Sequence, residues 1–470
     1  MGIDYTAVYA PTSSYTAWRL LMALGAGNNW PGYQLDVETA FLYGTLEEEL
    51  YMDTPAHYFE LRPTAPRGTA LRLHKSLYGL RQAPHVWNKL ISAWLTKQGF
   101  RASHQDPCLF IRYTPAGDPH AALSIHVDDC SVFIITGDLA WYQDFIREMN
   151  KSFTVKDLGQ LSWYLNMRID RHENGSIEIS QPRYIEETLE KFGMQNCNPT
   201  KTPLRPEFKF KKAPEDCSTT LDKEGAELYG SIVGSIGYLA NTTRPDIAHA
   251  IRAAARVTTR PTEEHLTAVK HILRYLRGTS DQGITYNGST ASDNILVAFS
   301  DSSWADADKA KSTGGGVIML NGGPIYWGSG VQSIVADSTA AAEYIQMHTV
   351  STEVMTCREM IKQLGFPQSR GTHLFCDNDT SAGLARGEMT AKATRHLSVK
   401  YHAVKEREED GSLKVTNIPG RCNLADTFTK ALPQPAFTAL NMVMMGHPKG
   451  GALDTDFVTS AATGILPVVG

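Results

Sequence analysis

Apolar residues along this chain come in two alternating rhythms. Short β-type runs bounded by Gly, Pro and acids fill the first third, and 3.6-residue stripes fill the middle. Leu123, Ile125 and Val127, followed by Val132, Phe133, Ile134 and Ile135, bracket Asp128-Asp129 and predict a hairpin with two carboxylates at its tip. A short strand over 33–37 ends near Asp36, and an amphipathic helix is predicted over 86–99. Ser180-Gln181-Pro182 opens a helix with Ile185, Leu189 and Phe192 on one face, which Gly193 stops. Residues 197–225, rich in Pro, Thr, Lys and Asp, read as a linker. Thr262 starts a helix with Glu263 and Glu264 in its first turn and Arg274 and Arg277 in its last, as the helix dipole favours. Its buried stripe is Leu266, Val269, Ile272, Leu273 and Leu276.

From about residue 295 the pattern changes again. A strand over 295–299 leads into Ser300-Asp301. Runs over 316–320 and 324–327 flank Asn321-Gly322-Gly323, a hairpin signal. Ser338 begins a long helix running to Gly365, and a strand over 374–376 ends at Asp377. A helix over 395–409, a strand over 414–418 and a helix over 423–430 follow. Strands first, then alternating helix and strand, predict a mixed-sheet α/β domain. The residues after Pro433 read as a poorly ordered tail.

The totals narrow the class. At 470 residues the chain is expected to form several domains, and 42% apolar with 20% charged residues describes a globular protein. Seven scattered cysteines without a CxxC pair argue for a reducing compartment and against a zinc finger. No apolar run reaches membrane-spanning length, so no membrane partner and a cytoplasmic location are expected. The net charge is −5, but cations and anions are segregated. Residues 20–61 hold seven acids and no Lys or Arg, whereas 62–105 hold eight cations and no acid. Such blocks suit an acid or metal site beside a phosphate-binding surface.

Adjacent carboxylates repel, and burying them is costly unless a cation neutralises them. Asp36 at a strand end, with Asp128 and Asp129 at the hairpin tip, can hold a pair of divalent cations about 3.5–4 Å apart. Asp301, Glu343, Asp377 and Asp426 form a second set. Asp301 and Asp377 lie at strand exits, Glu343 one turn into a helix and Asp426 in a helix near the end. Gathered on one sheet edge, they suit in-line phosphodiester hydrolysis with two Mg²⁺ (or Mn²⁺) ions per site.

The words around the first set are Gln34-Leu35-Asp36-Val37 running into Glu38-Thr39-Ala40-Phe41-Leu42-Tyr43-Gly44, Lys75-Ser76-Leu77-Tyr78-Gly79-Leu80-Arg81-Gln82-Ala83-Pro84, and Val127-Asp128-Asp129. In this order and spacing the chain resembles the reverse transcriptase of copia-type LTR retrotransposons. The likeness continues through Asp157-Leu158-Gly159, Thr243-Arg244-Pro245-Asp246-Ile247 and Leu273-Arg274-Tyr275-Leu276-Arg277-Gly278. Around the second set, Ser300-Asp301-Ser302, Lys311-Ser312-Thr313-Gly314-Gly315, Ala342-Glu343-Tyr344, Cys376-Asp377-Asn378, Arg395-His396 and Leu424-Ala425-Asp426-Thr427-Phe428-Thr429-Lys430 are similar to that family's ribonuclease H domain.

The resemblance implies a multidomain α/β and α+β protein. Its parts would be a palm with partial fingers over 1–166, a helical thumb or connection over 167–290 and a ribonuclease H-like domain over 291–433, with the tail over 434–470. Asp36, Asp128 and Asp129 would be polymerase metal ligands, and Asp301, Glu343, Asp377 and Asp426 nuclease ligands. Phe41 would close the sugar pocket or be a core residue. Gln82 would touch the incoming nucleotide or sit on a helix surface. Residues 158–166 would grip the primer, with Asn166 in place of a usual glycine where a positive φ is needed. His126 replaces a usual tyrosine and brings a charge state near pH 6.5. His396 would be a ligand, a proton shuttle or a structural hydrogen bonder.

The implied partners are an RNA template, a DNA primer, an RNA–DNA hybrid and dNTP, and the resemblance allows a place inside virus-like particles; no oligomeric state follows. In the family, the motif at Gly2-Ile3-Asp4-Tyr5 follows a fingers region whose cations hold the triphosphate. Met1 stands in its place, so weak polymerase activity with surviving hybrid hydrolysis is expected. The alternative is a catalytically silent nucleic-acid-binding remnant of a transposable element.

Overall fold

The computed structural model describes residues 9–68, 70–214, 216–288, 294–388 and 402–447. They fall into two compact units. The first takes the residues up to Ser14 together with Trp30–Leu161, and the second takes Tyr15–Asn29 together with the residues from Ser162 onward. Among the described residues no helix is long and apolar enough to cross a membrane. All seven cysteines are free thiols.

The first unit is built on a six-stranded antiparallel sheet. Its order is Phe100–Ala102, Leu109–Tyr113, Pro119–His126, Asp129–Ile134, Gly32–Val37 and Val155–Gln160. Leu35, Val37, Leu123, Val132 and Ile134 bury one side of its middle strands. Helices Ala83–Lys97 and Leu139–Met149 pack there through Trp87, Ile91, Leu95, Tyr142, Phe145 and Met149. The segregated charges seen in sequence partly meet. Strands Thr45–Met52 and Leu71–Lys75 form a separate ribbon that brings Arg72 to 3.6 Å from Glu49, and Lys89 lies 3.1 Å from Glu47. These pairs are exposed and contribute little to stability.

The second unit carries a five-stranded mixed sheet. Its order is Gly323–Val331, Thr313–Leu320, Leu296–Ser303, Thr372–Cys376 and Leu413–Asn417, with the first three antiparallel and the last two added in parallel. Gly314-Gly315-Gly316 explains how closely its faces are covered. A Cβ on Gly314 or Gly316 would stand 2.0 Å from Gln346 or 2.2 Å from Val350, on the helix Thr339–Gln363. A Cβ on Gly315 would stand 2.7 Å from Phe428, on the opposite face. A smaller sheet joins Ile284–Tyr286, Ile177–Ser180, Met167–Arg171 and Trp163–Tyr164.

The helix-rich stretch does not form its own core. Ile185, Leu189, Ile236, Leu239, Ile251, Val269 and Leu273 belong to one hydrophobic cluster with Phe299, Val317, Phe375 and Phe428 of the mixed sheet and its cover. Helix Tyr15–Gly27, drawn from within the expected palm segment, is built into this second unit. Its sequence has almost no polar face, so it must be surrounded. Its single cation, Arg19, donates to the carbonyls of Ile325, Asn241 and Thr242 at 2.9–3.0 Å and lies 3.7 Å over the Trp327 ring.

Two further expectations need correction. Among the described residues the segment over 197–225 has no helix or strand before helix Lys223–Thr242, as a linker would, but it is packed down, with Leu204 and Phe210 buried in the shared core. The supposed tail opens with helix Gln434–Met444, which buries Phe437, Leu440, Val443 and Met444; the residues after 447 lie outside the described ones. The helix expected over 423–430 is a 3-10 turn, Leu424–Phe428, and the helix expected over 395–409 is seen as Ala403–Glu409.

The Thr243-Arg244-Pro245-Asp246-Ile247 motif is a buried ion pair. Arg244 and Asp246 are fully enclosed, with Nη2 to Oδ2 at 2.8 Å. Tyr275 donates to Asp246 at 2.7 Å, and Arg244 donates to the Thr279 carbonyl at 2.9 Å. Removing the carboxylate leaves an uncompensated charge in the core. Asp246→Ala is therefore expected to cost about 3–5 kcal/mol in denaturant unfolding of the second unit. A loss below about 1 kcal/mol, the size seen for exposed pairs, would contradict this account of the motif.

Candidate active sites

Two carboxylate sets assemble, one in each unit. In the first, strand Gly32–Val37 pairs with Asp129–Ile134 so that Asp36 is directly opposite Asp129. Asp128 occupies the hairpin tip beside them. The turn is strained, because Val127 has a φ of 61°, a left-handed value that β-branched residues rarely adopt. Two bonds hold it there. Trp87 Nε1 donates to the Val127 carbonyl at 2.6 Å, and the Val37 amide donates to the Asp128 carbonyl at 3.1 Å.

The three carboxylates sense one another. Burial and then Asp128 raise the Asp36 carboxyl above its ordinary range, while Lys156 opposes the rise. Burial also raises Asp129, against a 3.2 Å hydrogen bond donated by Gln34, with Asp128 and Asp36 adding to the rise. Burial lowers the His126 imidazole despite both neighbouring aspartates, so the charged form expected near pH 6.5 gives way to the neutral ring.

Phe41 lies half-buried in the 3-10 turn Ala40–Tyr43, its ring 4.9 Å from that of Tyr78. Tyr78 is 57% exposed, and burial, then Asp128 and Asp36, raise its phenol. Gln82 is buried at the start of helix Ala83–Lys97, not on its surface. Leu165 and Asn166 both adopt positive φ, 48° and 58°, which agrees with the conformation expected of Asn166. Gly2-Ile3-Asp4-Tyr5 lies outside the described residues.

In the second unit Asp301, Asp377 and Asp426 each offer an oxygen within 4.8 Å of the others. Asp301 is on the central strand Leu296–Ser303, Asp377 follows the parallel strand Thr372–Cys376, and Asp426 sits in the turn Leu424–Phe428 that covers the sheet. Glu343, on the first turns of helix Thr339–Gln363, completes the set and accepts from the Ser302 amide at 3.1 Å. Its other oxygen, Oε2, is buried without a protein donor.

The electrostatics are those of crowded acids. Burial, then Asp301 and Asp377, push the Glu343 carboxyl up to about 10. Burial, then Asp301, push Asp426 up to about 8 against the pull of Lys430. Asp377 rises for the same two reasons. Lys430 Nζ lies 2.9 Å from Asp426 and 3.7 Å from Asp301, supplying positive charge inside the cluster. Thr429 Oγ donates to Asp301, and Asn423 donates to the Ser300 carbonyl at 3.0 Å and to Asp377 at 3.3 Å.

Motif reading found the acids but not Lys430, Thr429, Asn423 or Gln34 as their partners. The first three stand in or beside the Leu424–Lys430 motif, which was the available signal. His396 and Arg395 lie outside the described residues.

Comparison with known proteins places the chain in a family. Residues 1–206 match the family model described as reverse transcriptase (RNA-dependent DNA polymerase). A putative transposon Ty5-1 protein of Saccharomyces cerevisiae is 31% identical over 326 residues, 68% of this chain and 99% of that protein. The retrovirus-related Pol polyprotein from transposon TNT 1-94 of Nicotiana tabacum is 36% identical over 441 residues, 93% of this chain and 32% of that polyprotein. The chain belongs to the copia-type retrotransposon Pol family. The Pol polyprotein from transposon RE1 of Arabidopsis thaliana shares 34% identity over 93% of this Pol chain, which spans 29% of its length. This Pol chain thus spans about a third of the plant polyproteins it matches. The foamy viral protease–reverse transcriptase in complex with an RNA/DNA hybrid aligns over 88% of the chain and 46% of its own, at 12% identity and a TM-score of 0.46.

The raised carboxyls have a consequence for stability. Their folded values exceed the ordinary 4.5 and 3.8, so the folded state holds protons that the unfolded chain releases above those values. The stability this contributes is complete below them and is lost as pH rises toward about 8 for Asp426 and about 10 for Glu343. The metal-free protein is expected to show a falling melting temperature from about pH 5 to about pH 9, and Glu343→Gln is expected to flatten the fall. A melting temperature that rises through this window would contradict the placement of these acids.

Proposed function

We propose that this Pol chain carries two phosphodiester chemistries. One is RNA-directed DNA synthesis at Asp36, Asp128 and Asp129; the other is hydrolysis of the RNA strand of RNA–DNA hybrids at Asp301, Glu343, Asp377 and Asp426. The observation that carries the second is the convergence of Asp301, Asp377 and Asp426 within 4.8 Å, with the Glu343 carboxyl buried behind them. Membership of a reverse transcriptase family supports the first.

The donor sets suit hard divalent cations. The oxygen donors are carboxylates, with the Lys430 ammonium beside two of them, and Glu343 Oε2 is buried with no donor of its own. Paired Mg²⁺ or Mn²⁺, when bound, would supply the positive charge and Lewis acidity that a phosphoryl transition state needs. The protein's own residues prepare the place. Gln34 orients the Asp129 carboxylate, Asn423 orients Asp377, and the Ser302 amide fixes Glu343. Phe41, with the Tyr78 ring 4.9 Å away, would offer an apolar wall to the sugar of an incoming dNTP. Buried Gln82 would lie beneath the same nucleotide. RNA template, DNA primer and RNA–DNA hybrid are the polymers these sites would take.

The test is a hybrid with a labelled RNA strand, incubated with Mg²⁺. Asp377→Asn is expected to slow its cleavage by a factor on the order of 10²–10³, the usual effect of removing one charge-stabilising group. Asp36→Asn is expected to spare cleavage and to abolish primer extension. Undiminished cleavage by Asp377→Asn would overturn the nuclease assignment, and undiminished extension by Asp36→Asn would overturn the polymerase assignment.

A further inference from the structure

The segment over 204–212 has the composition of a linker but the packing of a fixture. Leu204 and Phe210 are 4% and 7% exposed. The Phe210 ring stands edge-on to Phe208 at 4.9 Å and lies 5.6 Å from the His265 ring. Burial alternates along this stretch. Phe210 points into the core, while Lys209 and Lys211 on either side of it are exposed. The apolar anchors therefore hold two ammonium groups at a defined place without any regular secondary structure.

That place borders the nuclease carboxylates. Lys209 and Lys211 line a cavity of about 110 Å³ together with Arg256, Ser303, Asp306 and Lys430. Ser303 ends the strand that carries Asp301, and Lys430 is the cation 2.9 Å from Asp426. The cavity and the carboxylate cluster thus share a wall. The acids on the cavity side are already engaged. Asp306 accepts from the Thr313 amide at 2.8 Å and from its hydroxyl at 2.9 Å, and Asp308 pairs with Lys212 at 3.3 Å. Lys209, Lys211 and Arg256 make no ion pair among the described residues. Glu207 and Glu264 border a second cavity with Lys209 and Lys211 but pair with neither among the described residues, so three cations beside the proposed nuclease site match the repeating charge of a nucleic-acid backbone.

We propose that the 204–212 segment is a phosphate-gripping strap. Lys209 and Lys211, with Arg256 opposite, hold the backbone of the hybrid next to the phosphate presented to Asp301, Asp377 and Asp426. This rests on the nuclease reading above. The strap positions the duplex and reads no bases, so its contribution is electrostatic and salt-dependent.

The experiment uses the full chain carrying Asp377→Asn, so that the hybrid stays intact, with lysine acetylation followed by mass spectrometry. Lys209 and Lys211 are expected to lose reactivity several-fold when the hybrid binds, and not when inorganic phosphate is added alone. The double variant K209Q/K211Q changes only exposed side chains. It is expected to weaken hybrid binding and to lower the slope of log affinity against log salt by about 2, one for each lost phosphate contact. K209R/K211R is expected to keep the slope. A bound hybrid that leaves both lysines as reactive as in the free chain, or an unchanged slope in K209Q/K211Q, would overturn the strap and leave the nuclease assignment standing. Equal protection by inorganic phosphate would overturn the assignment to a nucleic-acid backbone. Absence of any hybrid binding would overturn both readings.

Discussion

Mutual repulsion among crowded carboxylates is the constraint on which both candidate sites depend. In the second unit four acids from distant parts of the chain meet, three of them with oxygens within 4.8 Å of one another and the fourth held by the Ser302 amide. Without a cation some of them must hold protons, which is why Glu343 and Asp426 are pushed so far up. Lys430 relieves part of the repulsion, and Thr429, Asn423 and the Ser302 amide occupy particular lone pairs. Such an arrangement is poorly suited to stability and well suited to trapping positive charge. The first unit meets the same constraint differently. It holds Val127 in a backbone conformation that valine disfavours, so that Asp128 and Asp129 turn toward Asp36.

The rest of the second unit serves to keep that cluster together. Three consecutive glycines let the Glu343 helix and the Asp426 turn press on opposite faces of the strand beside Asp301. The helical stretch shares its core with the mixed sheet, and helix Tyr15–Gly27 is enclosed in the same unit. The nuclease-like sheet is therefore not an independent body among the described residues. Its packing draws on sequence from near residue 15 as well as from 162 onward.

Much of this was legible in sequence where the signal is local. Turn residues and strand alternation placed Asp128 and Asp129 on a hairpin and Asp377 at a strand exit, whereas Asp301 lies inside its strand, which runs on to Ser303. Caps marked the helices that start at Thr262 and Ser338, and both caps are made. The reading fell short where tertiary contacts decide. Composition at 197–225 spoke for a linker, yet Leu204, Phe208 and Phe210 suffice to pin it. Gly and Pro after residue 433 concealed a helix whose stripe of Phe437, Leu440 and Val443 completes the core. Nothing local in Tyr15–Gly27 tells which unit will enclose it. Motif resemblance identified the acids, but not that Lys430 would lie among them.

Charge trapping by converging acids underlies both sites, and Mn²⁺ binding measures it directly. Electron paramagnetic resonance titration of the metal-free chain, compared with a variant carrying Asp301→Asn and Asp377→Asn, separates the nuclease cluster from the polymerase triad. The expected result is that the variant binds fewer ions than the unaltered chain by the pair assigned to that cluster. Equal Mn²⁺ uptake by both proteins would contradict the claim that Asp301, Glu343, Asp377 and Asp426 form a cation site.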